Sequence, residues 1–150
     1  MHRRTACALA LLLVGCAGAG GAGGDESQTR GAAPASAILA ERGRELFQRY
    51  CAACHGASAE GDGPAAPALR TAPPDLTRIA ARRAGRFPDA EIASWIDGRF
   101  ESPAHGTREM PVWGVQLRYE LPASGLEEEI VRGQIEMLIE YLRSIQRPTP

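Results

Sequence analysis

Apolar residues in the last part of the chain recur every three or four positions, the spacing of one face of an α-helix. The pattern runs from about residue 126 to residue 146 and is closed by Pro148. Glutamates 127–129 fill its first turn, where negative charge is favourable. We therefore predict a long amphipathic helix over this range. Its apolar stripe consists of Val131, Ile135, Leu138, Leu142 and Ile145.

A second helix is predicted over residues 37–50, where Ile38, Leu39, Leu46, Phe47 and Tyr50 recur at helical spacing. Gly43 lies in the middle of this segment. A glycine there costs stability unless another backbone must approach closely. The residue therefore indicates a close helix contact.

Two shorter helices are predicted between these long ones. Asp75 is the N-cap of an arginine-rich helix through about residue 84. Residues 87–100 form another, with Pro88 in its first turn and Gly98 near its end. Nothing alternates with period two, so the predicted fold class is all-α, with three to five helices.

Two long segments have no helical pattern. Residues 56–75 are punctuated by glycine and proline, and residues 102–119 are predicted to be irregular. Long loops in a compact domain are usually functional or wrapped around something. With only 5% aromatic residues, a loop-rich domain of this size cannot easily build an adequate core by itself. A large apolar cofactor would supply what is missing.

The first 15 residues form an export signal. Arg3 and Arg4 precede an apolar run over residues 6–14, followed by small residues. The run is far shorter than the ~20 residues that span a bilayer. Residues 13–16, Leu-Val-Gly-Cys, resemble the lipobox of bacterial lipoproteins. That resemblance implies cleavage before Cys16, which would carry the lipid; the alternative is an ordinary signal peptide that discards Cys16.

Three regions follow from this interpretation: a signal peptide over residues 1–15, a lipid-anchored flexible linker over residues 16–36 and a folded domain over residues 37–147. Several acyl chains would hold the chain stably on a membrane that faces the periplasm. The outer membrane is favoured over the inner one because Ala17 stands where a retention signal has aspartate.

The charge of the mature chain argues against nucleic acid as a partner. Loss of Arg3 and Arg4 from the 17 basic residues leaves 15 against 18 acidic residues, a net charge of −3. All the basic residues are arginines. Residues 78, 82, 83 and 86 form a local arginine cluster, which could steer an acidic partner or simply be a solvated face.

Only Cys51 and Cys54 remain for the folded domain, and His55 follows them directly. This CAACH spacing is that of a c-type haem attachment site. One helical turn between the thiols lets both reach vinyl groups on one edge of a porphyrin. The neutral imidazole of His55 can then bind the iron.

The alternatives are a structural disulfide, a thioredoxin-like redox pair and half of a zinc site. Zinc takes four ligands, and the folded domain has no second pair of closely spaced Cys or His residues. A thioredoxin-like motif belongs in a βαβ context, which the helical pattern does not provide. Covalent haem c is therefore the cofactor that the motif predicts.

Four candidates remain for the second axial position of the iron: Met110, His105, Met137 and water. Met137 has the spacing of a core residue in the last helix. Met110 is followed by Pro111, which stiffens the backbone, and by Trp113, which could shield the haem and direct its N–H at a propionate. Met110 is favoured, and His105 stays open.

At these residues the chain resembles the class I c-type cytochromes over most of residues 38–146. Gly43 and Phe47 precede Cys51 by the intervals of the family's first helix, and Leu138 and Tyr141 match the pair in its last helix. The resemblance implies that the two helices cross almost perpendicularly, with the glycine letting their backbones touch.

The resemblance also implies roles around the haem. The carbonyl of Pro67 would accept a hydrogen bond from the His55 imidazole, with Pro64 as a competing candidate, and Leu69 would pack on the haem. The segment Met110-Pro-Val-Trp-Gly resembles the distal-ligand segment of bacterial members.

The implied function is a monohaem electron carrier, not an enzyme, that faces the periplasm and exchanges single electrons with other redox proteins. Its iron would be held by His55 and Met110. The alternatives are a cytochrome subunit of a larger dehydrogenase or oxidase complex, and a haem sensor or peroxidase-like enzyme from which Met110 would readily leave the iron.

Overall fold

The computed structural model describes residues 34–99 and 109–148. Within these ranges the chain forms five α-helices and no strand, so the predicted all-α class is confirmed. Three short 3₁₀ turns punctuate the loops, at Ala66–Ala68, Leu76–Arg78 and Ala81–Arg83. The α-helices are α1 (Ala35–Tyr50), α2 (Ala52–His55), α3 (Asp89–Asp97), α4 (Trp113–Tyr119) and α5 (Glu127–Ser144).

Several predictions fall on residues outside these ranges. They concern the signal peptide, almost all of the linker, the lipidation site Cys16 and the alternative ligand His105. They stay predictions.

The fold is organised by the crossing of α1 and α5. A Cβ atom added to Gly43 would lie 1.9 Å from the Met137 carbonyl oxygen and 2.9 Å from Tyr141 Cβ. The two backbones therefore touch at this glycine, as its position in the sequence indicated. One helical turn further on, the rings of Phe47 and Tyr141 are 5.2 Å apart.

The hydrophobic core lies along α5, which contributes most of its buried side chains. Phe47 and Val131 are its largest fully buried side chains. Ile96 from α3 and Leu117 from α4 pack against the same cluster, so the shorter helices are held by α5. The stripe predicted for the last helix is confirmed in four of its members: Val131, Ile135, Leu138 and Leu142 are buried.

The structure corrects three local predictions. The segment after Asp75 forms two 3₁₀ turns rather than one helix, and the second ends at Ala84 in the left-handed region (φ 52°). Asp75 does act as a cap, since it accepts hydrogen bonds from the backbone (2.8 Å) and hydroxyl (2.6 Å) of Thr77. Pro88 directly precedes α3 instead of lying in its first turn.

The third correction concerns α4, because residues 102–119 were predicted to be irregular. Seven residues make only two turns, which is too few for a clear period, and Gly114 lies within them. A Cβ at Gly114 would come within 2.6 Å of both Asp97 Oδ1 and Arg99 Nε. This glycine therefore lets α4 pack close to the end of α3.

Candidate functional site

Cys51, Cys54 and His55 lie on one helical turn that follows α1, which we call the attachment turn. Cys51 joins α1 to α2: its N–H donates to the Phe47 carbonyl (2.8 Å), and its own carbonyl accepts from the N–H of His55 (2.9 Å). Cys51 and Cys54 are both free thiols and both half-buried. The structure thus presents two unpaired thiols one turn apart, with an imidazole next to the second.

Burial disfavours the charged forms of Cys51 and His55. It raises the pKa of Cys51 to about 12, with a smaller effect from Cys54. Burial also lowers the pKa of His55, while the nearby Pro74 carbonyl acts in the opposite direction. A neutral imidazole is the form that coordinates a metal ion.

The imidazole of His55 has an unusual environment. Its Nδ1 atom is buried and has no hydrogen-bond partner among the described residues. Buried polar atoms are normally paired. Two free thiols and a neutral, half-buried imidazole with an unpaired nitrogen suit the attachment of a c-type haem, which bonds to both thiols and to one imidazole nitrogen.

The long loop over residues 56–75 folds back onto the attachment turn. The carbonyls of Ala53, Cys54 and His55, which the short helix leaves unpaired, accept hydrogen bonds from residues 65, 63 and 61 at 2.9, 3.1 and 2.8 Å. Gly63 is required here, since an added Cβ would lie 2.4 Å from the Ala53 carbonyl oxygen. The loop is therefore fixed relative to the two thiols.

Three loop residues were predicted to surround the cofactor. Pro64 and Pro67 are both exposed, and Leu69 is half-buried. Since Nδ1 of His55 has no partner among the described residues, neither proline carbonyl is bonded to it in this structure. The roles of Pro67 and Leu69 stay predictions. Pro74, whose carbonyl does affect the imidazole, has no role predicted from the sequence.

Met110 and Trp113 lie where the chain enters α4, and both pack against the hydrophobic core. The Trp113 ring is 5.6 Å from the ring of Tyr50, the residue that precedes Cys51. The Tyr50 hydroxyl donates to the carboxylate of Glu120 at the end of α4. The distal candidate Met110 thus belongs to a segment that is held beside the attachment turn.

Met137 has a different place. Its carbonyl oxygen lies at the α1–α5 crossing, and the residue lines an open groove between these helices with Arg42, Leu46 and Arg49. The Met137 side chain is half-buried and is not among the residues that form or border the hydrophobic core, so its packing role stays a prediction.

The predicted arginine cluster is partly engaged within the domain. Arg82 donates to the Asp75 carbonyl (2.8 Å), and Arg83 forms an ion pair with Glu91 (2.5 Å). Two of its four arginines thus have partners within the domain, and one of these partners is an acidic side chain.

Two further properties bear on the site. Over residues 34–99 and 109–148, no group of three or more His, Cys, Asp or Glu side chains could hold a metal ion. No helix in the same ranges has both the length and the apolar character to cross a membrane.

An all-α domain whose attachment turn carries two thiols and a histidine is typical of one class of protein, the haem proteins whose cofactor is covalently bonded to the chain. The comparison with protein families agrees: the model described as Cytochrome c matches residues 40–146. The match covers well over half of the chain, which therefore belongs to the cytochrome c family. It is a haem-binding electron-transfer protein, and its cofactor is covalently bound haem c. No curated protein and no solved structure showed significant similarity to the chain.

Proposed function

We propose that the chain is a monohaem, class I type cytochrome that carries single electrons between redox proteins. In this proposal the haem is attached through Cys51 and Cys54, and the iron is held by His55 and Met110. The observation that carries it is the attachment turn, where two free thiols adjoin a neutral imidazole with an unpaired buried nitrogen.

The residues of the site suit electron transfer better than bond chemistry. Haem supplies an iron centre that gains and loses one electron. The burial of His55 favours the neutral imidazole needed for ligation. The thioether of Met110 would fill the opposite position and favour the reduced iron. With both axial positions occupied by the protein, oxygen or peroxide would have no open site.

Support for Met110 as the second ligand comes from its surroundings. Met110 packs against the core, and Trp113 of the same segment contacts Tyr50 beside the attachment turn. Met137 instead belongs to the α1–α5 crossing. Trp113 would then cover one side of the haem, with Leu69 and Pro67 on the long loop.

The ligation can be tested with the haem-loaded protein and two matched variants. We expect Met110→Ala to lose the weak far-red absorption of sulfur-ligated ferric haem and to bind carbon monoxide when reduced. Met137→Ala should keep the wild-type spectrum, because that side chain lines the groove between α1 and α5. An unchanged spectrum for Met110→Ala would refute the proposed ligation and give the position to His105 or another group.

We further propose that the chain is exported and held on a membrane in the periplasm through lipid on Cys16, with the outer membrane favoured. The basic, short apolar and small-residue pattern of residues 1–16 supports this. Wild-type protein from cells grown with a labelled fatty acid should carry the label, and Cys16→Ser should not. Cys7→Ser is the control and should carry the label, because Cys7 departs with the signal. A Cys16→Ser protein labelled like the wild type would contradict the anchor.

The proposed partners are other redox proteins, such as a dehydrogenase, an oxidase or a second cytochrome, and not nucleic acid. The net charge of −3 for the mature chain gives no general attraction to polyanions. Membranes isolated from its own cell should reoxidise the reduced protein. An electrophoretic mobility-shift experiment at physiological salt should show no complex with DNA. Failure of either result would count against this assignment.

A further inference from the structure

The carboxylate of Glu109 connects the segment around Met110 (residues 109–113, the Met110 segment) to the long loop over residues 56–75. Oε1 of Glu109 accepts the backbone N–H of Arg70 at 2.8 Å, and Oε2 accepts that of Thr71 at 3.0 Å. The Arg70 guanidinium lies 3.5 Å from Oε1. Hydrogen bonds to an ionised carboxylate are stronger than those between neutral groups. The Glu109 side chain is about one quarter exposed (24%).

The loop that receives these bonds is the one fixed to the attachment turn. Its residues 61, 63 and 65 donate to the carbonyls of residues 55, 54 and 53. Residues 70 and 71 follow the 3₁₀ turn Ala66–Ala68 in the same loop. The Glu109 carboxylate therefore joins the Met110 segment to the part of the chain that carries both thiols and His55.

A second connection lies on the other side of Met110. The Trp113 ring contacts Tyr50, which directly precedes Cys51. Met110 thus lies between two connections that both lead back to the attachment turn, one through Glu109 and one through Trp113. The connection through Trp113 is a ring contact, whereas Glu109 fixes the backbone immediately before Met110.

We propose that Glu109 is a positioning residue that holds the Met110 thioether on the haem iron. Its two backbone hydrogen bonds limit how far the Met110 segment can move away from the long loop. Without them, the thioether would leave the iron more often. This inference rests on the proposed ligation by Met110.

Competition with added imidazole measures the fraction of molecules in which the Met110 thioether is not bound to the iron. Imidazole can bind ferric iron only when the second axial position is open, so its apparent affinity rises with the open fraction. Glu109→Ala should bind imidazole about tenfold more tightly than the wild type, which corresponds to roughly 1.4 kcal/mol, the scale of one hydrogen bond to a charged group. Its far-red ferric band should weaken in parallel.

Two further variants separate positioning from a general loss of charge or stability. Glu109→Gln keeps one acceptor oxygen for one of the two N–H groups and should fall between Glu109→Ala and the wild type. Glu91→Gln is the control, because it removes one acidic charge and one ion pair, with Arg83, away from the Met110 segment. It should bind imidazole within about twofold of the wild type.

The outcomes distinguish this inference from the ligation itself. If Met110→Ala keeps the far-red band, the proposed ligation fails and the role of Glu109 fails with it. If Met110→Ala loses the band while both Glu109 variants bind imidazole like Glu91→Gln, only the positioning role is wrong. Graded imidazole affinities across wild type, Glu109→Gln and Glu109→Ala, with an unchanged helical circular-dichroism signal, would support it.

Discussion

The imidazole of His55 is buried enough to lower its pKa, and its Nδ1 atom has no partner among the described residues. Both properties depend on how the long loop folds back over the turn that carries Cys51 and Cys54. Neither is visible in the sequence, which predicts the role of His55 only from its place directly after Cys54.

Glu127 supports a prediction about acid stability. Its Oε1 accepts backbone N–H groups that precede α5, those of Ser124 and Gly125 (3.0 Å for the latter). Hydrogen bonds to the backbone of Ser124, of Glu127 itself and of Gly125 lower the pKa of its carboxyl from 4.5 to about 2. A depressed native pKa contributes stability that is present above pH ~4.5 and is lost as the pH falls through ~2.

Glu127→Gln should therefore lose less stability than the wild type between pH 4.5 and pH 2, since the amide keeps an acceptor oxygen but does not titrate. The measurement is urea unfolding of the haem-loaded protein at several pH values in this window. The matched control is Glu129→Gln. The carboxylate of Glu129 pairs with the Arg132 side chain (3.7 Å), and the stability of this variant should follow that of the wild type. If the Glu127→Gln and wild-type curves run parallel, the hydrogen bonds that the Glu127 carboxylate accepts do not stabilise the domain.

At the scale of elements, α1 and α5 could be predicted because each carries a long apolar pattern. Gly43 even indicated their contact. The 3₁₀ turns after Asp75 and the helix α4 could not, since segments of three to seven residues contain too little of any period. Their conformation is set by tertiary contacts, such as the close approach of Gly114 to Asp97 and Arg99.

The contact between α1 and α5 at Gly43 can be tested by substitution, with Gly133 of α5 as the control. Gly43→Ala should lower the free energy of unfolding by about 3 kcal/mol, because the new Cβ would lie 1.9 Å from the Met137 carbonyl oxygen. This outweighs the gain of roughly 1 kcal/mol that alanine brings to a helix interior. Gly133→Ala in α5 meets nothing within 4 Å and should stabilise the protein by up to about 1 kcal/mol.

Chemical denaturation of the haem-loaded variants, followed by far-ultraviolet circular dichroism, gives both values. A Gly43→Ala protein as stable as the wild type would show that the two backbones do not touch at this residue. Destabilisation by Gly133→Ala would show that the groove beside it is filled.

At the scale of the whole molecule, the sequence predicted the class of protein because five adjacent residues carry most of the chemistry. The family match over residues 40–146 agrees with this. The shortage of aromatic residues pointed the same way, since it predicted a large apolar cofactor that completes the core. The contacts around Met110 could not be predicted, because Glu109 meets residues 70 and 71 only after the chain has folded.

The central claim is that one haem is bonded to Cys51 and Cys54, and mass spectrometry of tryptic peptides tests it most directly. Trypsin cleaves after Arg49 and Arg70 and releases residues 50–70, which contain both thiols. We expect this peptide from the mature protein to carry the mass of one haem and to resist alkylation. A peptide of unmodified mass, with two thiols that react with an alkylating agent, would contradict the account.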